Sequence, residues 1–141
     1  MKISAFFDTN VFIYAFEFKD SNSRTVIDLL NEQIFEAIIS EQVIKETAKY
    51  FRKYYTKELS EDFTRYLLQS CKIVFRDEVA EEIKKYSAEI NSKDIEQLTV
   101  VRKFGIKYLV SYDRDFEGFE EYTIPKQFVK ILGYNEKESE Y

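Results

Sequence analysis

Four acidic residues stand at positions where they could act together. Asp8 and Asp113 each follow a short apolar segment, whereas Asp94 falls in the first turn of a predicted helix and Glu46 in the second turn of another. Because the sequence has no histidine, a histidine general base, a histidine zinc site and a Ser-His-Asp triad are excluded. A carboxylate-only site suits a hard cation such as Mg²⁺ or Mn²⁺, which relieves the repulsion between the acids. Such ions activate water and neutralise phosphoryl groups, so the pattern indicates phosphodiester hydrolysis.

Position supports these acids unequally. Asp8 ends a buried strand, where an acid without a function is unfavourable. Asp113 and Asp115 follow another strand one residue apart, although both could be turn formers and Asp115 is the more readily explained that way. A mid-helix residue such as Glu46 usually faces solvent, and the helix dipole favours Asp94 at a helix start whatever its function.

Short strands that alternate with helices would position these acids. We predict strands at 3–7, 37–39, 72–75, 107–111 and 122–124, and a helix over 79–90. The predicted helix starts are Thr9 or Asn10, Ser21 or Ser23, Ser40, Ser60, Ser92 and Pro125. This order predicts an α/β protein, a three-layer α/β/α sandwich with a central parallel sheet of four to five strands and helices on both faces. In such sheets ligands bind beyond the carboxyl ends of the strands, where these acids fall.

Length and composition place these elements in one globular unit. The 141 residues suit one domain, which we assign to residues 1–133, followed by an acidic tail at 134–141 that is a candidate for disorder. One cysteine, Cys71, fits a reducing compartment. Since no signal peptide and no membrane span is recognisable, we expect a soluble, cytoplasmic protein.

One basic segment stands out against the net charge of −5. Lys45, Lys49, Arg52 and Lys53 alternate with aromatic residues on one predicted helix. The cations could follow RNA phosphates while tyrosines stack on bases. The other explanation, which we rate somewhat ahead, is that the aromatic residues pack inward and the cations only solvate the helix.

The ordered motifs resemble those of the PIN-domain family. In chain order they are Asp8-Thr9-Asn10, Ser40 to Glu46, Lys93-Asp94-Ile95, Tyr108 to Phe116 and Pro125 to Phe128. The fourth motif has Ser111 where threonine is commoner in the family. Each motif alone is weakly specific, but the ordered set spans nearly the whole chain.

The resemblance implies a Mg²⁺- or Mn²⁺-dependent endoribonuclease with one or two ions. Its catalytic and metal-binding residues would be Asp8, Glu46, Asp94 and Asp113. Its supporting residues would be Thr9, Asn10, Ser111 and Asp115, and Asp115 is also a candidate fifth member of the acidic metal cluster. Many small family members are toxins of toxin–antitoxin pairs, so the implied partners are single-stranded RNA, an antitoxin protein and a second copy of the chain in a homodimer.

Three other interpretations start from the same acids. A haloacid-dehalogenase-like phosphatase would need an aspartate at the position of Asn10. A response-regulator receiver would need an acidic pair after the first strand and a phosphoacceptor after the third, where Arg76 precedes Asp77. A catalytically silent PIN-like domain that binds RNA or protein is the third interpretation, and the four filled acid positions make it less favoured than an active nuclease.

Overall fold

Five parallel strands form the centre of the computed structural model, which describes residues 2–87 and 94–141. The strands are β1 (Ser4–Phe7), β2 (Glu36–Ser40), β3 (Lys72–Val74), β4 (Tyr108–Val110) and β5 (Tyr122–Thr123). Their order across the sheet is β3-β2-β1-β4-β5, and each neighbouring pair is parallel. The predicted parallel sheet is confirmed, with β1 at its centre.

Seven α-helices in the described residues accompany the sheet. They are α1 (Thr9–Glu17), α2 (Asn22–Asn31), α3 (Glu41–Tyr54), α4 (Lys57–Ser70), α5 (Ala80–Tyr86), α6 (Ile95–Lys103) and α7 (Pro125–Ile131). Short 3-10 turns span Arg76–Val79 and Arg114–Phe116. None of the described helices has the length and apolar character needed to cross a membrane.

The central strand is buried on both of its faces. Ala5, Phe6 and Phe7 have no exposed surface. Since successive strand residues point to opposite faces, both faces of the sheet must be covered. On one face the Phe7 ring lies 5.4 Å from Phe35 and 5.8 Å from Phe128, centroid to centroid. This burial confirms the predicted three-layer arrangement.

Two helix starts differ from the predictions. Helix α1 is capped by Asp8, not by Thr9 or Asn10, because the Asp8 carboxylate accepts a hydrogen bond from the N–H of Thr9. Helix α4 is capped by Thr56, one turn before the predicted Ser60. The Ser60 hydroxyl instead donates to the carbonyl of Ala48 at 2.8 Å, which ties α4 to α3.

The helix predicted over 79–90 lies only partly within the described residues. There α5 covers Ala80–Tyr86, and the 3-10 turn of Arg76–Val79 precedes it. Residues 88–90 of that predicted helix, the predicted cap Ser92 and Lys93 of the third motif lie outside the described residues. Helix α6 ends before Gly105, whose φ of 61° is in the left-handed region that glycine adopts readily.

Residues 134–141, set apart above as a candidate disordered tail, lie against the start of α2. The side-chain amide of Asn22 exchanges hydrogen bonds with the main chain of Lys137 at 2.7 and 3.1 Å. The N–H of Ser23 donates to the main-chain oxygen of Tyr141 at 3.0 Å. These contacts give the tail a defined place on the domain.

Candidate metal centre

Asp8 lies at the carboxyl edge of the sheet, directly after β1. Its N–H donates to the carbonyl of Val110 at 3.0 Å, which extends the pairing of β1 with β4. One carboxylate oxygen accepts from the N–H of Thr9 at 2.8 Å, and the other accepts from the Ser111 hydroxyl at 2.7 Å. Burial raises the pKa of Asp8, and the charges of neighbouring acids raise it further, against the lowering effect of the two hydrogen bonds.

Three carboxylates meet beside Asp8. Asp94, Asp113 and Asp115 each offer a carboxylate oxygen, and the three oxygens lie within 4.8 Å of one another. We call these three residues the acid cluster. Asp94 precedes α6, and the other two follow β4, so elements far apart in the chain meet at one edge of the sheet.

Asp94 is the most buried member of the acid cluster. Only 2% of its surface is exposed, and its Oδ2 atom makes no hydrogen bond within the part of the chain that the structure describes. Burial, followed by the charge of Asp113, raises the pKa of Asp94 to about 7. A buried oxygen without a donor, surrounded by like charges, is the arrangement that a cation would stabilise.

Ser111 fixes the loop that carries the other two carboxylates. Its hydroxyl, fully buried, donates to Asp8 and accepts from the N–H of Asp113 at 2.9 Å. The Asp113 carboxylate then accepts from the N–H of Asp115, also at 2.9 Å. Asn10 holds the same loop, because its side-chain oxygen accepts from the N–H of Tyr112 at 3.3 Å. Hydrogen bonds therefore place this strand-end loop relative to Asp8.

Glu46 reaches the site from α3. Its Oε1 atom accepts from the Thr9 hydroxyl at 2.9 Å, and its charge is among those that raise the pKa of Asp8. Among the described residues, Asp8 and Glu46 lie outside the 4.8 Å group, whereas Asp115, given above as a supporting residue and candidate fifth member, lies inside it. The predicted residues are thus brought to one edge, with Asp115 nearer to the centre than its sequence position indicated.

The four predicted RNA-binding cations are all exposed on α3. Lys45 pairs with Glu41 one turn away, at 2.8 Å. Phe51 is fully buried, as expected if the aromatic residues pack inward, but Tyr54 and Tyr55 are exposed. The inward packing of the aromatic residues is therefore only partly confirmed, and the cations are accessible from solvent.

Glu96, a buried acid close to the site, was not among the residues predicted from the sequence. Its carboxylate lies 2.8 Å from the Arg76 guanidinium and accepts from the N–H of Gln42 at 3.0 Å. These bonds join the starts of α6 and α3 and so help to position Asp94, which is two residues earlier. One signal in the sequence indicates that Glu96 is buried, which is its position between the apolar residues Ile95 and Leu98.

The residues present fit a hard divalent cation. All donors in the acid cluster are carboxylate oxygens, and the described residues contribute no sulfur or imidazole ligand there. The unpaired Oδ2 atom of Asp94 supplies a buried ligand position. Asp8 and Glu46 add negative charge beside the cluster, which would strengthen cation binding.

The strand order rules out the response-regulator alternative. Receivers have the sheet order 2-1-3-4-5, in which the third strand pairs with the first. Here β3 is an edge strand separated from β1 by β2. Asp77, after β3, is exposed, so it does not take the place of a phosphoacceptor beside Asp8.

Two solved structures share this fold. One, a toxin–antitoxin complex from Klebsiella pneumoniae, superposes with a TM-score of 0.68 at 20% identity, covering 86% of this chain and 97% of that one. The other is VapC20 of Mycobacterium tuberculosis, described as a toxin that cleaves the sarcin-ricin loop. Its TM-score is 0.57 at 18% identity, covering 81% of this chain and 94% of that one.

Sequence comparison gives the family. No curated protein sequence matches the chain. The family model for the PIN domain matches residues 5–122, which include the central strand, both strand-end acid motifs and the helix that carries Glu46. The chain therefore belongs to the PIN-domain family.

Proposed function

We propose that the chain is a divalent-metal-dependent endoribonuclease that hydrolyses phosphodiester bonds in single-stranded RNA. The observation that carries this proposal is the meeting of Asp94, Asp113 and Asp115 within 4.8 Å, beside a buried Asp8. Carboxylate oxygens arranged in this way are suited to hold Mg²⁺ or Mn²⁺, and such an ion would bind a phosphate group of the RNA.

The chain's own residues have separable roles in this proposal. The acid cluster would hold one or two ions, and Asp8 and Glu46 would add negative charge beside them. When bound, such an ion supplies an activated water and neutralises charge on the phosphoryl group. Asp94, whose pKa is raised in the metal-free protein, would have to be ionised to act as a ligand. Ser111 orients Asp8, and Thr9 orients Glu46.

The test is cleavage of labelled single-stranded RNAs of varied sequence, with Mg²⁺, with Mn²⁺ and with EDTA. We expect cleavage only with metal, and a loss on the order of a hundredfold or more in Asp8→Asn and Asp94→Asn. Asp62→Asn is the matched control, because Asp62 is an exposed acid on α4 that pairs with Arg65. No cleavage of any RNA with either metal would overturn the proposal in favour of the silent, RNA- or protein-binding PIN domain.

We also propose that this activity is that of a toxin with a protein antitoxin and that the chain forms a homodimer. The Klebsiella pneumoniae neighbour, which comes from a toxin–antitoxin complex, supports the antitoxin. In a separate experiment, expression of the unchanged chain in a bacterial host should arrest growth. Expression of the Asp8→Asn variant should leave growth unaffected. Growth unaffected by an actively cleaving chain would contradict the toxin part alone, and light scattering of the purified chain would show whether it is monomeric or dimeric.

A further inference from the structure

Three aromatic side chains, on segments next to the candidate metal centre, form what we call the aromatic recess. Tyr14 lies in α1, Phe18 directly follows α1, and Tyr112 follows β4. The ring centroids of Tyr14 and Phe18 are 5.5 Å apart, and those of Tyr14 and Tyr112 are 5.0 Å apart. Tyr112 directly precedes Asp113 of the acid cluster, and its N–H is bound by Asn10, one helical turn before Tyr14. The recess and the acid cluster are thus carried by neighbouring segments of the chain.

The ring of Tyr141 fills this recess. It stacks on Phe18 with an interplanar angle of 10° and a centroid distance of 5.4 Å, and it lies 4.7 Å from Tyr14 and 5.3 Å from Tyr112. The main-chain oxygen of Tyr141 accepts from the Tyr112 hydroxyl at 2.7 Å and from the N–H of Ser23 at 3.0 Å. The recess therefore combines three aromatic walls with polar donors.

The tail that carries this ring is polar and is held mainly through its backbone. Asn22, fully buried, binds the main chain of Lys137 and the carbonyl of Ser139. An ion pair joins Lys137 to Asp20 at 2.7 Å, and it is open to solvent because the Asp20 side chain is 91% exposed. Residues 135–140 contain no apolar side chain, so the Tyr141 ring is the chief apolar anchor of this segment.

We propose that the aromatic recess is a stacking subsite for a base of single-stranded RNA next to the cleaved bond, and that Tyr141 occupies it as an autoinhibitory contact when RNA is absent. This inference rests on the proposed function. A flat ring parallel to Phe18 shows that the recess accepts a planar aromatic group, and stacking on aromatic side chains is how proteins bind unpaired bases. The tail also carries Glu136, Glu138 and Glu140, so an acidic chain bearing an aromatic ring already lies where a nucleotide strand would.

The test is RNA affinity, measured by fluorescence anisotropy in an Asp94→Asn background so that cleavage is not required. Tyr141→Ala should tighten binding, by about tenfold if the tail fills the recess about nine-tenths of the time. Phe18→Ala, which removes an exposed wall of the recess, should weaken binding by about fivefold or more. The two substitutions should therefore change RNA affinity in opposite directions. If the tail only stabilised the fold, each substitution would leave RNA affinity unchanged or lower it.

Two further variants serve as controls. Tyr141→Phe keeps the ring and should bind RNA like the unchanged chain, and Tyr134→Ala removes an exposed tyrosine outside the recess and should do the same. A 2-aminopurine base in the RNA should be quenched on binding, more strongly in Tyr141→Ala and less in Phe18→Ala. Thermal unfolding identifies any variant that fails to fold. For the variants that fold, the quenching then shows whether a base of the RNA stacks in the aromatic recess.

RNA affinity that is unchanged or weaker in a folded Tyr141→Ala chain would overturn the inference and leave the recess as a packing or protein-docking place. That outcome is separate from failure of the proposed function. A chain that cuts RNA but binds it equally well with and without the Tyr141 ring refutes only the subsite. A chain that cuts no RNA but shows the opposite affinity changes refutes only the nuclease.

Discussion

At the scale of single residues, Ser111 links the two strand-end acid motifs. Its hydroxyl donates to Asp8 and accepts from the N–H of Asp113, so one oxygen sets the separation of two acids that are far apart in the chain. Leaving a buried carboxylate or a buried N–H without a hydrogen-bond partner lowers the stability of the folded protein. A small, fully buried side chain thus determines the geometry of the carboxylates around it.

We expect Ser111→Ala to lower the free energy of unfolding by about 1–3 kcal/mol, because it removes two hydrogen bonds at a buried position. It should also weaken Mn²⁺ binding, since Asp8 loses the donor that orients it. Ser111→Thr, which keeps the hydroxyl, should retain most of the metal affinity. Chemical denaturation and isothermal calorimetry with Mn²⁺ measure the two effects, and a Ser111→Ala chain with unchanged metal affinity would contradict the orienting role.

Residue types and strand ends were enough to predict Asp8 and Asp113 near one edge. They could not rank Asp115, because its part in the acid cluster depends on the 3-10 turn in which its N–H binds Asp113. They could not find Glu96 either, since its partner Arg76 is twenty residues away and the pairing arises only in the folded chain. Local signals fail where the partner of a polar group is distant in sequence.

At the scale of elements, alternating apolar segments predicted all five strands, because a buried parallel strand needs an uninterrupted apolar run. Helix starts were harder to predict. Thr56 and Ser60 are both good caps, and the chain uses the earlier one because Ser60 instead binds the carbonyl of Ala48. Packing between α3 and α4 therefore decides which residue caps the helix, and propensity alone does not.

The exposed face of α3 yields a prediction at this scale. Replacing Lys49, Arg52 and Lys53 together with glutamine should weaken RNA binding and lower the slope of log affinity against log salt by about 0.7 for each RNA phosphate that the variant no longer neutralises. Lys72→Gln is the matched control, because Lys72 is exposed at the start of β3, away from the carboxyl edge. An unchanged salt slope in the triple variant would mean that these cations only solvate the helix.

At the scale of the whole molecule, the acids make stability depend on pH and metal. The pKa values of Asp8 and Asp94 are raised in the folded state, that of Asp94 to about 7. The folded, metal-free protein therefore holds protons that the unfolded chain releases above about pH 4, and its stability should fall as pH rises from about 4 to about 7. Asp94→Asn should flatten this fall and stabilise the metal-free chain at alkaline pH, on the order of 2 kcal/mol.

Metal should reverse the trend. Saturating Mn²⁺ should raise the melting temperature strongly at about pH 8 and little at about pH 5, because proton and ion compete for the same oxygens. Thermal unfolding across pH, with Mn²⁺ and with EDTA, measures both effects. A metal-free chain whose stability rose over this acid-to-neutral range, or a metal effect equal at both pH values, would contradict this account.

The pairing of β1 with β4 also has a consequence for synthesis of the chain. Asp8 and Ser111, which bind each other, are 103 residues apart in the chain. The ribosome makes β1 first, and the residues after β4 that complete the acid cluster follow about a hundred residues later. A nascent chain still short of Asp113 has no assembled site. If the cluster cuts RNA as proposed, the growing polypeptide is harmless to the message that encodes it until the segment after β4 has been translated.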